Sequence, residues 1–520
     1  MRAAARLCVV DFPGPSPSSE LERLIAERHI GGVVVFRKNV QSPAQMAALT
    51  AALQSVALNA GAPPLWVAID HEGGVVNRFG RSVAGSGTAR VTPLPSPMAL
   101  GAAGSTALAR EAGLVAGREL RAMGIHHNYA PAVDVNNNPA NPIIGARAFG
   151  ESPALVESMG LAYIDGLQSA GVAATVKHFP GHGDVMVDSH LALPRVDHPI
   201  ERLERVELPP FAAAVRAGVA SVMPAHIVYP ALDPTGVPAT MSRPILTGLV
   251  RERWQFQGFI CSDSLQMRAI ADNYGVGEAA VAAVRAGCDQ LLALGPEALQ
   301  QEVMDAVALA IEHGDLPAGR VADALRRVEA AVAKWGPKSA PAGTVMIDGA
   351  DHDGVAKRIA DAAVTLVRDR AGIVPLRGPR IGVAMLSAGY GEYEPPDVAT
   401  ALRRHHAGVV DVPSTGPRPE VDQVVAVTFT RGTPSANQVA AIHDLYKTFG
   451  DRLIVLAAGD PYDLLQFPEV PAYMATYGAD GPSLDAGARA LVGALTPRGR
   501  LPVTLPGLHP IGSGLPGAGA

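Results

Sequence analysis

The sequence predicts an α/β protein: an N-terminal (β/α)8 barrel of TIM type followed by a smaller α/β sandwich domain. Three observations predict it. Short, uniformly apolar β-type runs alternate with longer amphipathic segments over the first two-thirds of the chain, a stretch rich in Pro and Gly interrupts the pattern near residue 336, and a second alternating set follows. Strands that are apolar along their whole length, rather than at every second residue, belong to sheets covered on both faces. Repeated β-then-α units over roughly 250–330 residues then point to a parallel sheet closed as a barrel. A doubly wound open sheet is the competing arrangement, but no glycine fingerprint for dinucleotide binding accompanies it.

The candidate strands of the first unit are Gly32–Phe36, Leu65–Asp70, Ile125–Pro131, Ala174–Pro180, Ser221–His226, Phe259–Asp263 and Asp289–Leu294. Helical patterns occupy about 42–60, 105–123, 152–170, 200–217, 242–254, 276–286, 297–312 and 318–334. The last ends near Trp335, where Gly336-Pro337-Lys338-Ser339-Ala340-Pro341-Ala342-Gly343 reads as an interdomain linker. The expected division is a barrel over 1–335, a linker over 336–344 and a second domain over 345–520. Strands in that domain are expected at Arg380–Leu386, Gln423–Phe429, Leu453–Ala458 and Ala472–Tyr477, and the Gly- and Pro-rich residues 512–520 read as a loose tail.

Composition excludes several function classes. At 520 residues, 48% hydrophobic and 18% charged, the chain is globular and too long for one ordinary core. A net charge of −6 with scattered basic residues gives no nucleic-acid surface. No apolar run approaches the roughly 18–20 residues needed to cross a bilayer. The stretch from Met1 to Asp11 is too briefly apolar for a secretory signal, and Cys8, Cys261 and Cys288 are too few and too far apart for a disulfide framework. A reducing, cytoplasmic location is the expectation. Nothing in the sequence calls for a cofactor or states an oligomeric form.

In a β/α barrel, chemistry gathers at the carboxyl ends of the strands and on the loops after them. Four strand ends carry ionisable groups that a plain core does not need. They are Asp70-His71-Glu72-Gly73-Gly74 with Arg78, Lys177-His178-Phe179-Pro180-Gly181-His182-Gly183 continuing to Asp188-Ser189-His190, Met223-Pro224-Ala225-His226, and Cys261-Ser262-Asp263-Ser264. A cap or an ion pair explains one such residue, but four strand ends together are harder to explain by structure alone.

With Ala130-Pro131-Ala132-Val133-Asp134 and Arg147-Ala148-Phe149-Gly150, these segments resemble glycoside hydrolase family 3 and, within it, the β-N-acetylglucosaminidase branch. The resemblance runs in family order over most of residues 1–335. Its most specific part is the block from Lys177 to His190, because members acting on other substrates usually lack the Asp-Ser-His end. The second domain resembles that of longer members only weakly, and its role is unassigned.

The resemblance implies a retaining glycosidase with Asp263 as nucleophile. A short carboxylate at the end of an apolar strand suits attack on an anomeric carbon. It also implies His190 as acid/base, with Asp188 orienting the ring. Histidine, with a reference pKa of about 6.5, can give and take a proton near neutrality, and a carboxylate partner fixes its tautomer. A loop from Gly181 to Ser189 that moves His190 over the sugar is expected from its glycines. Substrate-binding positions carried over from the family are Asp70, Arg78, Arg147, Lys177 and His178, with weaker signals at His226 and Met223. The plainer reading makes Asp70 and Arg78 an internal salt bridge and His178 a core histidine, while Asp134 binds or pins a loop. Such an enzyme acts on an N-acetylglucosamine-containing glycan or muropeptide, with no nucleic-acid or membrane partner.

Other readings stay open at this stage. His178, His182, Asp184, Asp188 and His190 are of ligand type for a metal, yet no helical His-Glu-x-x-His spacing or cysteine pair supports one, and none is expected. A β-glucosidase, a xylosidase or a phosphorylase of the same family is chemically allowed, because a histidine acid/base does not repel phosphate as a carboxylate does. A carbohydrate-binding protein without catalysis has no need of Asp263, Asp188 and His190 together. Two positions depart from the family pattern: His71 beside Asp70, and Ser264 where an acidic residue is common.

Overall fold

A computed structural model describes residues 1–80, 90–186, 193–337, 349–386 and 397–515. Eight parallel strands close a barrel: β1 (Cys8–Val10), β2 (Gly32–Val35), β3 (Trp66–Ile69), β4 (His127–Asn128), β5 (Ala173–Phe179), β6 (Ser221–Pro224), β7 (Phe259–Ser264) and β8 (Gln290–Leu292), with β8 returning to β1. The first was not among the expected strands. Three residues ended by Asp11 are too few to show a pattern, and β1 is defined by its partners, Val9 beside Gly32 and Leu292.

The uniformly apolar strands are buried on both faces. Along β2 and β3, Val33, Val35, Val67 and Ile69 pack among the surrounding helices, whereas Val34, Trp66 and Ala68 belong to a separate interior cluster. Successive side chains point to opposite faces, so both faces must be apolar where both are covered. Trp66, Ala173 and Phe259, at the starts of their strands, share the interior cluster with Val328, Ala331 and Trp335 from the helix Ala318–Trp335. That helix plugs the amino-terminal end of the barrel and leaves the carboxyl-terminal end to form a pocket. Trp66 is 1% exposed, and its truncation to alanine is expected to cost about 3–5 kcal/mol.

The barrel helices follow the expected segments closely, as Pro43–Asn59 and Thr106–Ala122 illustrate. The expected helix at 200–217 is two, Ile200–Arg205 and Leu208–Arg216. The break falls before Pro209-Pro210, whose rings suit the first turn of a new helix but not the interior of an old one.

The second domain holds a six-stranded sheet: β9 (Thr365–Asp369), β10 (Ile381–Met385), β11 (Val409–Asp411), β12 (Gln423–Thr428), β13 (Leu453–Ala457) and β14 (Ala472–Ala475). Its order is β9-β14-β13-β12-β10-β11, parallel except for β9 against β14. The two edge strands, β9 and β11, were not expected from the sequence. Most of the linker lies outside the described residues. The helix Gly349–Ala363, at the start of the second unit, lays Val355, Ala356 and Ile359 into the barrel-side core and pairs His352 Nδ1 with Glu119 Oε1 at 2.8 Å. In turn Met98, Ala99, Ala102 and Ala146 of the first unit pack into one face of the second sheet. The two domains share a core. Residues 512–515, expected to be loose, are pinned: Gly512 N–H donates to Leu501 O at 2.8 Å and Leu515 N–H to Leu366 O at 2.7 Å.

Among the described residues, no helix is long and apolar enough to cross a membrane.

Candidate active site

The carboxyl-terminal mouth of the barrel opens into a cavity of about 470 Å3. Asp70, Arg78, Arg147, Lys177, His178, Met223 and Asp263 all line it. They come from the ends of β3, β5, β6 and β7 and from the loop after β4, so strands distant in sequence deliver them to one space. Asp188 and His190 lie outside the described residues.

Asp70 directly follows β3, and the chain then turns back through a small hairpin that pairs His71–Gly73 with Val76–Asn77. Gly73 and Gly74 have φ of 93° and 53°, a left-handed pair that side chains disfavour, which explains the two glycines of the motif. The hairpin holds Glu72 inward with its side chain fully buried. Lys177 Nζ on β5 lies 2.7 Å from Asp70 Oδ1 and 2.6 Å from Glu72 Oε1. Arg147 grips the same Glu72 with two parallel bonds, Nε to Oε2 at 2.9 Å and Nη2 to Oε1 at 2.8 Å. Arg78 reaches Asp70 Oδ2 at 3.2 Å and stacks over Phe36.

Electrostatics follow from these contacts. Burial opposes the charge on Glu72, but Arg147 and Lys177 outweigh it and hold the carboxyl well below the usual range. Asp70 is likewise lowered, with burial overcome by Lys177 and Arg78. Burial pulls Lys177 down and the two carboxylates more than restore it, so its ammonium persists. The interior of the pocket is therefore an alternating array of fixed charges, which offers a polar ligand both donors and acceptors.

His178 sits in a second set. Its Nδ1 lies 2.8 Å from Asp134 Oδ2, and its Nε2 is 3.4 Å from Arg147 Nη2. Arginine only donates, so the ring proton belongs on Nδ1 and goes to Asp134. Asp134 Oδ1 also accepts from the backbone N–H of His178 at 3.1 Å and of His182 at 2.6 Å. Asp134 therefore pins the strand end and the start of the following loop. The Lys177–His178 peptide is cis.

Asp263 is the next-to-last residue of β7, partly open to the cavity, and its Oδ1 accepts the N–H of Ser264 at 2.7 Å. Met223 forms pocket wall at 3% exposure. His226 is placed differently: it is not in the wall, and its ring bonds Thr240 Oγ1 at 2.8 Å and the Ser264 carbonyl at 2.9 Å, bracing the turn after Asp263. Asp70 and Arg78 do form an internal ion pair, yet both face the cavity.

Of the ligand-type residues of the metal reading, Asp188 and His190 lie outside the described residues, and His178 and His182 are in ring contact at 5.5 Å. His178 pairs with Asp134, while Asp184 pairs with His198 Nε2 at 2.6 Å. Among the described residues, the set spaced for an ion is Asp184, His198 and Glu207, where Arg202 already holds Glu207 Oε1 at 2.7 Å. His71, the first departure from the family pattern, packs edge-on against Phe79 at 5.5 Å, and burial lowers its pKa to about 4. It serves the hairpin.

Sequence reasoning undervalued Glu72, the hub between Lys177 and Arg147, although it stands within the quoted motif. It missed Arg431, which enters the cavity wall from the second domain. No local pattern marks that residue.

A closed parallel barrel with a dense array of acids, bases and arginines at its carboxyl-terminal mouth is the layout of a barrel enzyme. The chain belongs to glycosyl hydrolase family 3, whose N-terminal domain matches residues 3–331. It is 37% identical over 384 residues to a protein named β-hexosaminidase A from Pseudoalteromonas piscicida, a match covering 69% of this chain and 62% of that protein. A β-hexosaminidase from Thiobacillus denitrificans is 37% identical over 302 residues, or 57% of this chain and 80% of that one. A solved family 3 β-N-acetylglucosaminidase from Paenibacillus sp. str. FPU-7 superposes with a TM-score of 0.89 at 36% identity, covering 97% of this chain and 98% of the other.

Proposed function

We propose that the protein is a retaining exo-β-N-acetylglucosaminidase that releases terminal N-acetylhexosamine from a glycan or muropeptide. The observation that carries this reading is Asp263 at the end of β7, facing the cavity that holds Asp70, Lys177, Arg147 and His178. The names of the relatives supply the sugar.

In this reading the Asp263 carboxylate attacks the anomeric carbon as the bond to the leaving oxygen breaks, forming a covalent glycosyl-enzyme. His190 gives its proton to the leaving oxygen, with Asp188 orienting the ring. Water then enters on the same face. His190 takes its proton, oxygen bonds the anomeric carbon, and Asp263 is released. Asp70, Arg78, Lys177 and His178 bind the sugar hydroxyls. The ion pairs of Asp70 with Arg78 and Lys177, and the bond of His178 to Asp134, hold them in place before substrate arrives, so little orientation remains to be lost on binding.

The test compares an aryl N-acetyl-β-glucosaminide with an aryl β-glucoside, each with and without phosphate. Turnover of the acetamido sugar alone, lost by at least about 1,000-fold in Asp263→Ala, supports the assignment. A phosphate-dependent rate reassigns the protein as a phosphorylase, preference for the glucoside moves it to a glucosidase, and tight binding with no turnover of either makes it a carbohydrate-binding protein.

A further inference from the structure

Building on that reading, we infer that the second domain is a working part of the active site: Arg431 and Asp460 clamp the loop 141–148 and thereby position Arg147. Both residues stand on the second sheet's carboxyl-terminal edge, Arg431 after β12 and Asp460 after β13, and both reach across the domain boundary. Arg431 donates twice to the Ile143 carbonyl, from Nη2 at 2.5 Å and Nε at 3.2 Å. Arg147 Nη1 shares that oxygen at 3.4 Å. Asp460 Oδ1 accepts the N–H of Ala146 at 2.6 Å, and its Oδ2 accepts the N–H of Gly432 at 2.9 Å. One carboxylate thus ties the loop to the segment bearing Arg431. The fit is close: a Cβ on Gly145, where φ is 44°, would sit 2.1 Å from Asp460 Oδ2.

The clamped loop is not remote from chemistry. It carries Arg147, which holds Glu72 and touches His178, and its start is fixed to the loop after β5 by Asn141 Nδ2 donating to the His182 carbonyl at 2.8 Å. Arg431 also lines the cavity itself. A chain of fixed contacts therefore runs from the second domain to Arg147 and on to Glu72 and Lys177. Neither Asp460 nor the loop backbone makes the bond to sugar. Asp460 is a positioning residue, and Arg431 acts through the same loop.

The experiment uses the full chain and an aryl N-acetyl-β-glucosaminide. Arg431→Ala and Asp460→Asn are expected to raise KM about tenfold while kcat stays within about twofold, with the inhibition constant of free N-acetylglucosamine rising in parallel. Arg431→Lys, which can still donate to Ile143 O, is expected to recover part of the loss. Thr504→Val removes a different interdomain bond, Thr504 Oγ1 to Glu151 Oε1 at 2.5 Å, and is expected to leave KM unchanged. Amide exchange across 141–148 is the activity-independent arm: faster exchange there in Asp460→Asn or Arg431→Lys than in Thr504→Val supports the clamp even if the wild type turns over another sugar. Unchanged KM and exchange in folded Arg431 and Asp460 variants overturn it, as does an equal rise in KM from Thr504→Val. Absence of wild-type turnover on the acetamido substrate counts against the assigned activity, and the exchange arm then decides the clamp.

Discussion

Lys177 Nζ lies 2.6 Å from Glu72 Oε1, two opposite charges almost wholly withdrawn from water at the floor of the pocket. Breaking a buried pair by neutralising one member is costly because the other charge stays behind, whereas its partners decide how costly. Arg147 holds Glu72 with two bonds, so Glu72→Gln strands a guanidinium and weakens an ammonium together. That variant is expected to lose about 3–5 kcal/mol of stability. Lys177→Met is expected to lose less, because Asp70 retains Arg78 and Glu72 retains Arg147. Denaturant midpoints of the two variants check the order; the reverse order would discard this account of the network.

Acid lability follows from buried neutral histidines. Burial lowers His71 and His182 to about 4, and His126 and His127 to about 3. For His127 the neighbours also fix the neutral tautomer: Trp66 Nε1 donates to its Nδ1 at 2.8 Å, so the proton sits on Nε2, shared with Thr175 Oγ1 at 2.6 Å. A folded pKa below the unfolded value means that the unfolded chain binds more protons between the two. Stability from these groups is full above about pH 6.5 and falls as the pH drops, toward about 4 for His71 and His182 and toward about 3 for His126 and His127. Denaturation midpoints between pH 7.5 and 4.5 measure this, and a flat profile contradicts it. The part of the window above about pH 4.3 belongs to the histidines alone, because the lowered pKa values of Asp70 and Glu72 remove stability only below that pH.

Gly183 is required for closeness. A Cβ there would lie 1.8 Å from the Val135 carbonyl oxygen, a backbone atom that cannot swing away. Gly183→Ala is expected to cost about 1–3 kcal/mol and to lower kcat/KM by disturbing the loop beyond His182. Gly319→Ala, in the helix Ala318–Trp335 with open space around its Cα, is expected to be neutral or slightly stabilising. Thermal unfolding of the pair measures the contrast.

The acid/base assignment predicts a dependence on leaving group. His190→Ala is expected to slow hydrolysis of aryl glycosides by about 100- to 10,000-fold when the phenol is poor, and far less when it is a good leaving group needing no proton. A uniform loss across phenols of different acidity would count against His190 as the proton donor. Asp188→Asn is expected to show the same pattern more weakly.

Much of the fold was legible because period and burial agree. Most of the barrel strands are largely apolar runs covered on both faces, with β4 (His127–Asn128) the polar exception, and the helices between them keep an apolar stripe. Short edge elements were not legible: β1, β9 and β11 gain their identity from neighbours rather than from residues of their own. In the site, Asp70, Lys177 and Asp263 were readable as charges at the ends of apolar strands. His226 was readable as a polar residue there too, but its hydrogen bonds turn it to the backbone after Asp263.

By itself the sequence determined the order of most strands and helices, the strand ends that carry charge and, through the motifs from Asp70 to Asp263, the family. These are local properties: a side chain's polarity and its place in a period are written within a few residues. Only the tertiary structure decided which charges meet. Glu72 is the hub because the hairpin after β3 turns it inward between Lys177 and Arg147, and Arg431 reaches the pocket because two sheets pack through a shared core. Such pairings depend on where separate segments come to rest, and burial then sets their strength by removing the water that would screen them.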